Sequence, residues 1–181
     1  MSLYKKRHFL LVGFMSGLLI FALLLSAIVG GNSALDMNSR FDRYVEELFR
    51  QEVSANTITL HYTVKNPESY GIQNPPVSFG YAGTDSALIC ASAENALAIL
   101  HQFKRNKLSD YNKLTYDILE HSYTSSLEMG PYLLYEEPLT PLTGTQAQLP
   151  ILLSEYRFYN TDDIDTYLKL LTTIPDYFQS I

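Results

Sequence analysis

Residues Phe9 to Val29 carry no charged side chain, and Lys5, Lys6 and Arg7 stand directly in front of them. No other feature constrains the chain as strongly. About 21 apolar residues at 1.5 Å rise give a helix of roughly 31 Å, close to the hydrocarbon thickness of a bilayer. A basic cluster of this kind stays on the cytoplasmic side, so the chain from Gly30 onward is expected outside the cytoplasm. Two readings of residues 1–31 remain open. The run exceeds the 7–15 apolar residues typical of a cleaved signal peptide, which favours a retained anchor, yet Val29-Gly30-Gly31 offers small residues for cleavage. The expected localisation is the cell membrane with an exported C-terminal part, or secretion if the signal is removed. Either way, residues 32–181 form the exported region, long enough for a substantial core.

That region is acidic. Setting aside Lys5, Lys6 and Arg7, ten cations face nineteen anions, a net charge of about −9 that repels nucleic-acid phosphates and excludes nucleic acid as a partner. Cys90 is the one cysteine, so no internal disulfide forms, which suits a bacterial surface protein better than a small disulfide scaffold. Its Ala-rich surroundings predict a small buried thiol.

Hydrophobic periodicity predicts a mainly α fold with one extended segment. A helix is expected from Ser39, capped by Ser39 with Asp42, with Phe41, Tyr44, Val45, Leu48, Phe49 and Val53 on its apolar face. Thr57 to Val64 alternates Ile58, Leu60, Tyr62 and Val64 with Thr57, Thr59, His61 and Thr63, the pattern of a strand. Thr84 is placed to cap a helix running to about Asn106, and Ser109 to cap another with Tyr111, Leu114, Ile118 and Leu119 inward, the two forming an antiparallel hairpin. Gly130 to Gln148 reads as a long loop. Pro150 fits the first turn of a helix ending near Phe158, and Thr161 caps a helix with Ile164, Tyr167, Leu168 and Leu171 inward. Ile174-Pro175-Asp176-Tyr177-Phe178 opens a further helix that stops within two turns, with Tyr177, Phe178 and Ile181 lacking a following partner. This ending reads as truncation of a longer protein.

Two groups of strings bear on family. Phe41-Asp42-Arg43-Tyr44-Val45-Glu46-Glu47-Leu48-Phe49 leads into Leu60-His61-Tyr62-Thr63 and Asn66-Pro67-Glu68-Ser69-Tyr70-Gly71-Ile72. Gly144-Thr145-Gln146-Ala147-Gln148-Leu149-Pro150-Ile151-Leu152-Leu153-Ser154-Glu155-Tyr156-Arg157-Phe158 is followed by Asp165-Thr166-Tyr167-Leu168 and Ile174-Pro175-Asp176-Tyr177-Phe178. Together they resemble the N-terminal part of the bacterial domain-of-unknown-function family 885, the second group being the more specific. The resemblance covers nearly everything after the apolar segment. It implies the N-terminal portion of a larger helical, zincin-like fold, related to zinc-dependent metallopeptidases. It also implies a peptide substrate and zinc in the full-length protein, completed by a missing C-terminal part. The family's metal signature, a His-Glu-x-x-x-Gly-His-like helix, lies further along than this chain extends. None of His8, His61, His101 and His121 stands four residues from another with an intervening Glu, so no metal ligand and no catalytic residue is assigned here.

The candidate substrate-binding residues are Tyr132, Tyr135, Gln146, Gln148 and Glu155. Aromatic rings and amides in the 130–148 loop grip peptide backbones without committing a charge, although a loop packed under its own tyrosines fits the same residues. Glu155 could orient a substrate amine, although a buried structural ion pair is the favoured reading of a carboxylate there. His61 reads as a hydrogen-bonded structural histidine, His101 and His121 as solvated, and Glu136-Glu137 as a solvated loop pair. Serine-nucleophile, phosphate-loop and dinucleotide signatures are absent. The sequence therefore supports two functions: a cleft wall in a membrane-anchored metallopeptidase-like protein, or a non-enzymatic anchored surface domain binding a peptide, glycan or protein.

Overall fold

The first described helix begins where a carboxylate meets free backbone donors. In the computed structural model, which describes residues 36–80, 85–135 and 137–181, Asp36 Oδ1 accepts from Ser39 N at 2.7 Å. That caps α1 (Met37–Ser54), and the bond holds the Asp36 carboxyl below its usual range. The helix thus starts two residues before the predicted Ser39 and Asp42 pair. The anchor or signal at Phe9 to Val29, the Thr84 cap and Glu136 lie outside the described residues. No helix among the described residues is long and apolar enough to cross a membrane. They contain helices and no strand.

The chain divides into two compact units, Met1–Glu46 with Ala91–Ser126 and Glu47–Cys90 with Leu127–Ile181. In the first, Phe41 and Tyr44 of α1 are 0% exposed. The Phe41 ring meets Phe103 edge-on at 5.2 Å, with Tyr116 at 6.3 Å, and Tyr44 also lies 5.2 Å from Phe103. Such tilted and edge-to-face pairs are the favoured geometry of aromatic cores. Burial, with Tyr123 alongside, raises the Tyr44 hydroxyl far above its ordinary pKa. Helix α3 (Ser86–Leu100) starts with Asp85 Oδ1 accepting from Leu88 N. It ends at Leu100, not near Asn106, because the turn carries Phe103 into the ring cluster. After a 3-10 turn at Arg105–Lys107, Ser109 Oγ caps α4 (Asp110–Met129) as predicted, accepting from Asn112 N at 3.2 Å. His101 pairs with Glu120 at 2.9 Å and Arg105 with Asp117 at 2.6 Å, so the turn runs back along α4 in the antiparallel sense.

The inward face of α4 is not the predicted one. Tyr111, Leu114 and Ile118 are 79%, 60% and 59% exposed, while Asn112 and Tyr116 are buried. Asn112 Nδ2 donates to Asp42 Oδ1 at 2.7 Å and to Asn38 Oδ1 at 3.3 Å. A buried amide satisfied this way sets the rotation of the helix, with Tyr116 one turn on.

In the second unit, Thr57–Thr63 is a helix, α2, where alternation predicted a strand. Asn56 Oδ1 accepts from Ile58 N and Thr59 N, and its amide donates to Phe79 O, so cap and anchor coincide. Thr57, Leu60 and Val64 are buried and Tyr62 is 45% exposed, a spacing of three and four instead of two. With no strand among the described residues to complete a ladder, the helix satisfies its own backbone. Leu60 and Val64 join Val53 and Ile72 in one cluster. Ile58 joins Phe79, Leu149, Tyr156 and Leu170 in another. Burying each such side chain contributes roughly 1.5–3 kcal/mol.

The region predicted as a loop from Gly130 to Gln148 holds a 3-10 helix, Gly130–Tyr135, and the start of α5 (Thr145–Ser154). A Cβ at Gly130 would meet Cys90 Sγ, so a side chain there would displace the half-buried thiol. Pro150 sits inside α5, not in its first turn. Its ring removes the donor that would reach Gln146. Helix α6 (Thr161–Thr172) is capped by Asn160, not Thr161, in a reciprocal box with Asp163. Its buried residue is Leu170, whereas Ile164 and Leu168 are 45% and 56% exposed. Helix α7 (Ile174–Phe178) opens on proline as predicted. Tyr177 and Phe178, expected to lack a partner, pack with Ile174 against the Leu170 cluster, and the Tyr177 ring lies 5.5 Å from Phe79.

Candidate functional site

The C-terminal end of α5 organises a groove in the second unit. The last carbonyls of any helix lack intrahelical partners. Here Tyr62 Oη donates to Leu152 O at 3.0 Å and Tyr167 Oη to Leu153 O at 3.3 Å. Two tyrosines from α2 and α6 therefore stitch their helices to α5, and their rings stand beside the segment that follows it. His61 stacks on Tyr156 at 3.8 Å with planes 10° apart. It meets Tyr62 edge-on at 5.3 Å and Tyr159 at 5.8 Å. Tyr156 continues to Tyr167 at 5.1 Å and Phe158 at 5.4 Å, forming a continuous aromatic ladder.

The wall of the groove is held by its backbone. Arg157 N donates to His61 Nε2 at 3.2 Å, which leaves the proton of the neutral imidazole on Nδ1. Tyr159 N and Asn160 N donate to Asp163 Oδ2 at 2.7 and 3.1 Å. Burial pushes the His61 pKa below the ordinary imidazole value, opposed by the Asp163 charge. Burial and the Glu155 charge raise Tyr62. His61 is thus the hydrogen-bonded histidine expected, carried on a helix instead of a strand.

An open groove of about 560 Å³ results, lined by His61, Tyr62, Glu155, Arg157 and Tyr159. Glu155 and Arg157 form no side-chain ion pair with a described residue. The groove presents three ring faces or edges, one carboxylate and one guanidinium.

Of the predicted site residues, Glu155 alone lines this groove. Tyr132 and Tyr135 are 57% and 83% exposed, and their rings lie 6.2 Å from each other. The Gln146 amide donates to Thr140 O at 2.7 Å and the Gln148 amide to Leu142 O at 3.4 Å, so both brace the 140–144 turn from within. Gly144 completes that turn, where a Cβ would strike Thr140. Tyr62, Arg157 and Tyr159 were not expected in the site, and His61 was expected to be structural. The aromatic run Tyr156-Arg157-Phe158-Tyr159, placed between two helices, was the available signal.

The described residues do not fit a zinc centre. No group of three or more His, Cys, Asp or Glu converges among them. His61 Nε2 is occupied by a backbone donor and His101 Nε2 by Glu120. No protein-family model, curated protein or solved structure matches the chain.

Proposed function

We propose that this chain is an exported, membrane-tethered binding module whose groove at the end of α5 takes an extended peptide. The observation carrying this reading is the pairing of aromatic surface with unpaired charges of both signs at Glu155 and Arg157. Rings grip a peptide backbone through stacking and edge contacts. The carboxylate and the carbonyl end of α5 favour an amine, and the guanidinium favours a carboxylate. A neutral sugar would leave both charges unanswered, so a peptide fits better than a glycan.

A second reading has a specific support. The more specific group of family-like strings runs through Glu155, Tyr156 and Arg157 into the groove wall. On that reading the groove is one wall of the substrate cleft of a metallopeptidase-like protein, with zinc and its ligands supplied by a C-terminal part.

Titration calorimetry with a capped tripeptide bearing lysine and aspartate, against capped trialanine, tests the groove. The charged peptide is expected to bind, and Tyr159→Ala to weaken it about 2- to 10-fold, the worth of one aromatic contact. Equal binding of both peptides, or no effect of Tyr159→Ala and Arg157→Ala, would overturn the assignment.

A further inference from the structure

The first unit leaves an apolar stripe on α4 uncovered. Tyr111, Leu114 and Ile118 follow one another at spacings of three and four, which places them on one helical face, and all three are exposed. Just ahead, the turn carries Lys104 and Lys107, neither in an ion pair with a described residue. The nearby acids have hydrogen-bond partners, Asp42 in the Asn112 amide and others in side chains of the same region. Asp110 bonds Lys113 at 2.9 Å, Asp117 bonds Arg105, and Glu120 bonds His101. Two lysines without an ion partner among the described residues, close in sequence to an apolar stripe, stand out in a chain that is acidic after residue 31.

The head of α4 is also bound to the start of α1. Ser109 N and Asn112 Nδ2 both donate to Asn38 Oδ1, at 2.7 and 3.3 Å, joining the head of α4 to the second residue of α1. Between Val29 and Met37 lie about seven residues, spanning at most about 25 Å when extended.

We infer that the α4 stripe and the Lys104–Lys107 turn dock on an anionic bilayer surface, rings and aliphatic groups entering the interface and the lysines meeting lipid phosphates. This rests on the reading of Phe9 to Val29 as a retained anchor. An anchored chain holds this face within reach of the headgroups, and amphipathic helices with basic flanks are suited to that layer. Tyrosine favours the interface because its ring is apolar and its hydroxyl wet.

The full chain contains no tryptophan, so Leu114→Trp supplies a single reporter. Leu142→Trp, at a position 85% exposed in the second unit, serves as the control. Each is reconstituted into phosphatidylcholine vesicles with and without phosphatidylglycerol, using brominated lipid as quencher. Leu114→Trp is expected to shift to the blue and be quenched, more strongly with the anionic lipid, while Leu142→Trp keeps the emission of a solvated indole. Lys104→Ala with Lys107→Ala is expected to weaken docking about 30-fold on anionic vesicles. Quenching of neither reporter, or of both alike, in protein that floats with the vesicles overturns the docking and leaves the anchor standing. Protein that fails to float overturns the anchor and the docking together.

Discussion

The two units of this protein use aromatic side chains in opposite ways. In the first, Phe41, Tyr44, Phe103 and Tyr116 turn their rings inward, each at most 5% exposed, and the charged pairs His101–Glu120 and Arg105–Asp117 stay outside. In the second, the ladder runs from buried Tyr156 out to Tyr159, which is 66% exposed. Rings of the same chemistry form a core where all faces are covered and an exposed aromatic surface where the ladder ends in solvent. What separates the cases is whether the last ring has a neighbour on its far side.

The sharpest way to break this comparison is to truncate one ring from each unit. Phe41→Ala leaves a cavity under Phe103 and is expected to destabilise the protein by about 3–5 kcal/mol, read by chemical denaturation. Tyr159→Ala is expected to move stability by no more than about 0.5 kcal/mol. Similar losses for the two would mean that the Tyr159 ring is core, and the groove would lose its principal wall.

Asn56→Ala follows in size. It removes the cap of α2 and the amide bond to Phe79 O, and is expected to cost about 2 kcal/mol. Because α2 carries His61 and Tyr62, the same variant should weaken peptide binding while leaving the ring cluster of the first unit intact. Amide exchange, measured residue by residue, would locate the loss. Uniform loss of protection in both units would show that they unfold as one.

The smallest expected effect concerns pH. Burial depresses the His61 pKa in the folded state, so the unfolded chain holds the extra proton as pH falls through 6.5, the unperturbed value. The His61 contribution is complete above that value and declines as pH falls towards the folded pKa. Protonation also turns Nε2 from acceptor into donor, opposing the bond from Arg157 N. The Arg157 amide resonance should therefore move with the His61 titration, and His61→Gln should flatten this part of the pH profile. An Arg157 shift that follows a different midpoint would separate the histidine from the wall.

Local signals carried much of the fold. The apolar face of α1, the Ser109 cap and the proline that opens α7 were legible because each is decided within one or two turns. The inward faces of α4 and α6 were not. Periodicity marks an apolar stripe without saying whether anything covers it, and the polar bonds of Asn112 to Asn38 and Asp42 outweighed the stripe. At α2, strict alternation was a true property of the sequence and a poor guide, because no strand among the described residues is there to use it.

From sequence alone came a mainly helical region after residue 31, acidic overall, with its cysteine unable to form an internal disulfide. Glu155 was legible as a candidate from its residue type alone, although the expected helix ran on past it to about Phe158 and the observed one ends at Ser154. Tertiary structure alone decided that Glu155 shares a groove with Tyr62 and His61, and that the Gln146 and Gln148 amides serve their own turn. The physical reason is distance along the chain. His61 and Arg157 are 96 residues apart, and packing of α2 and α6 against the carbonyl end of α5 brings them together, a contact no local pattern encodes.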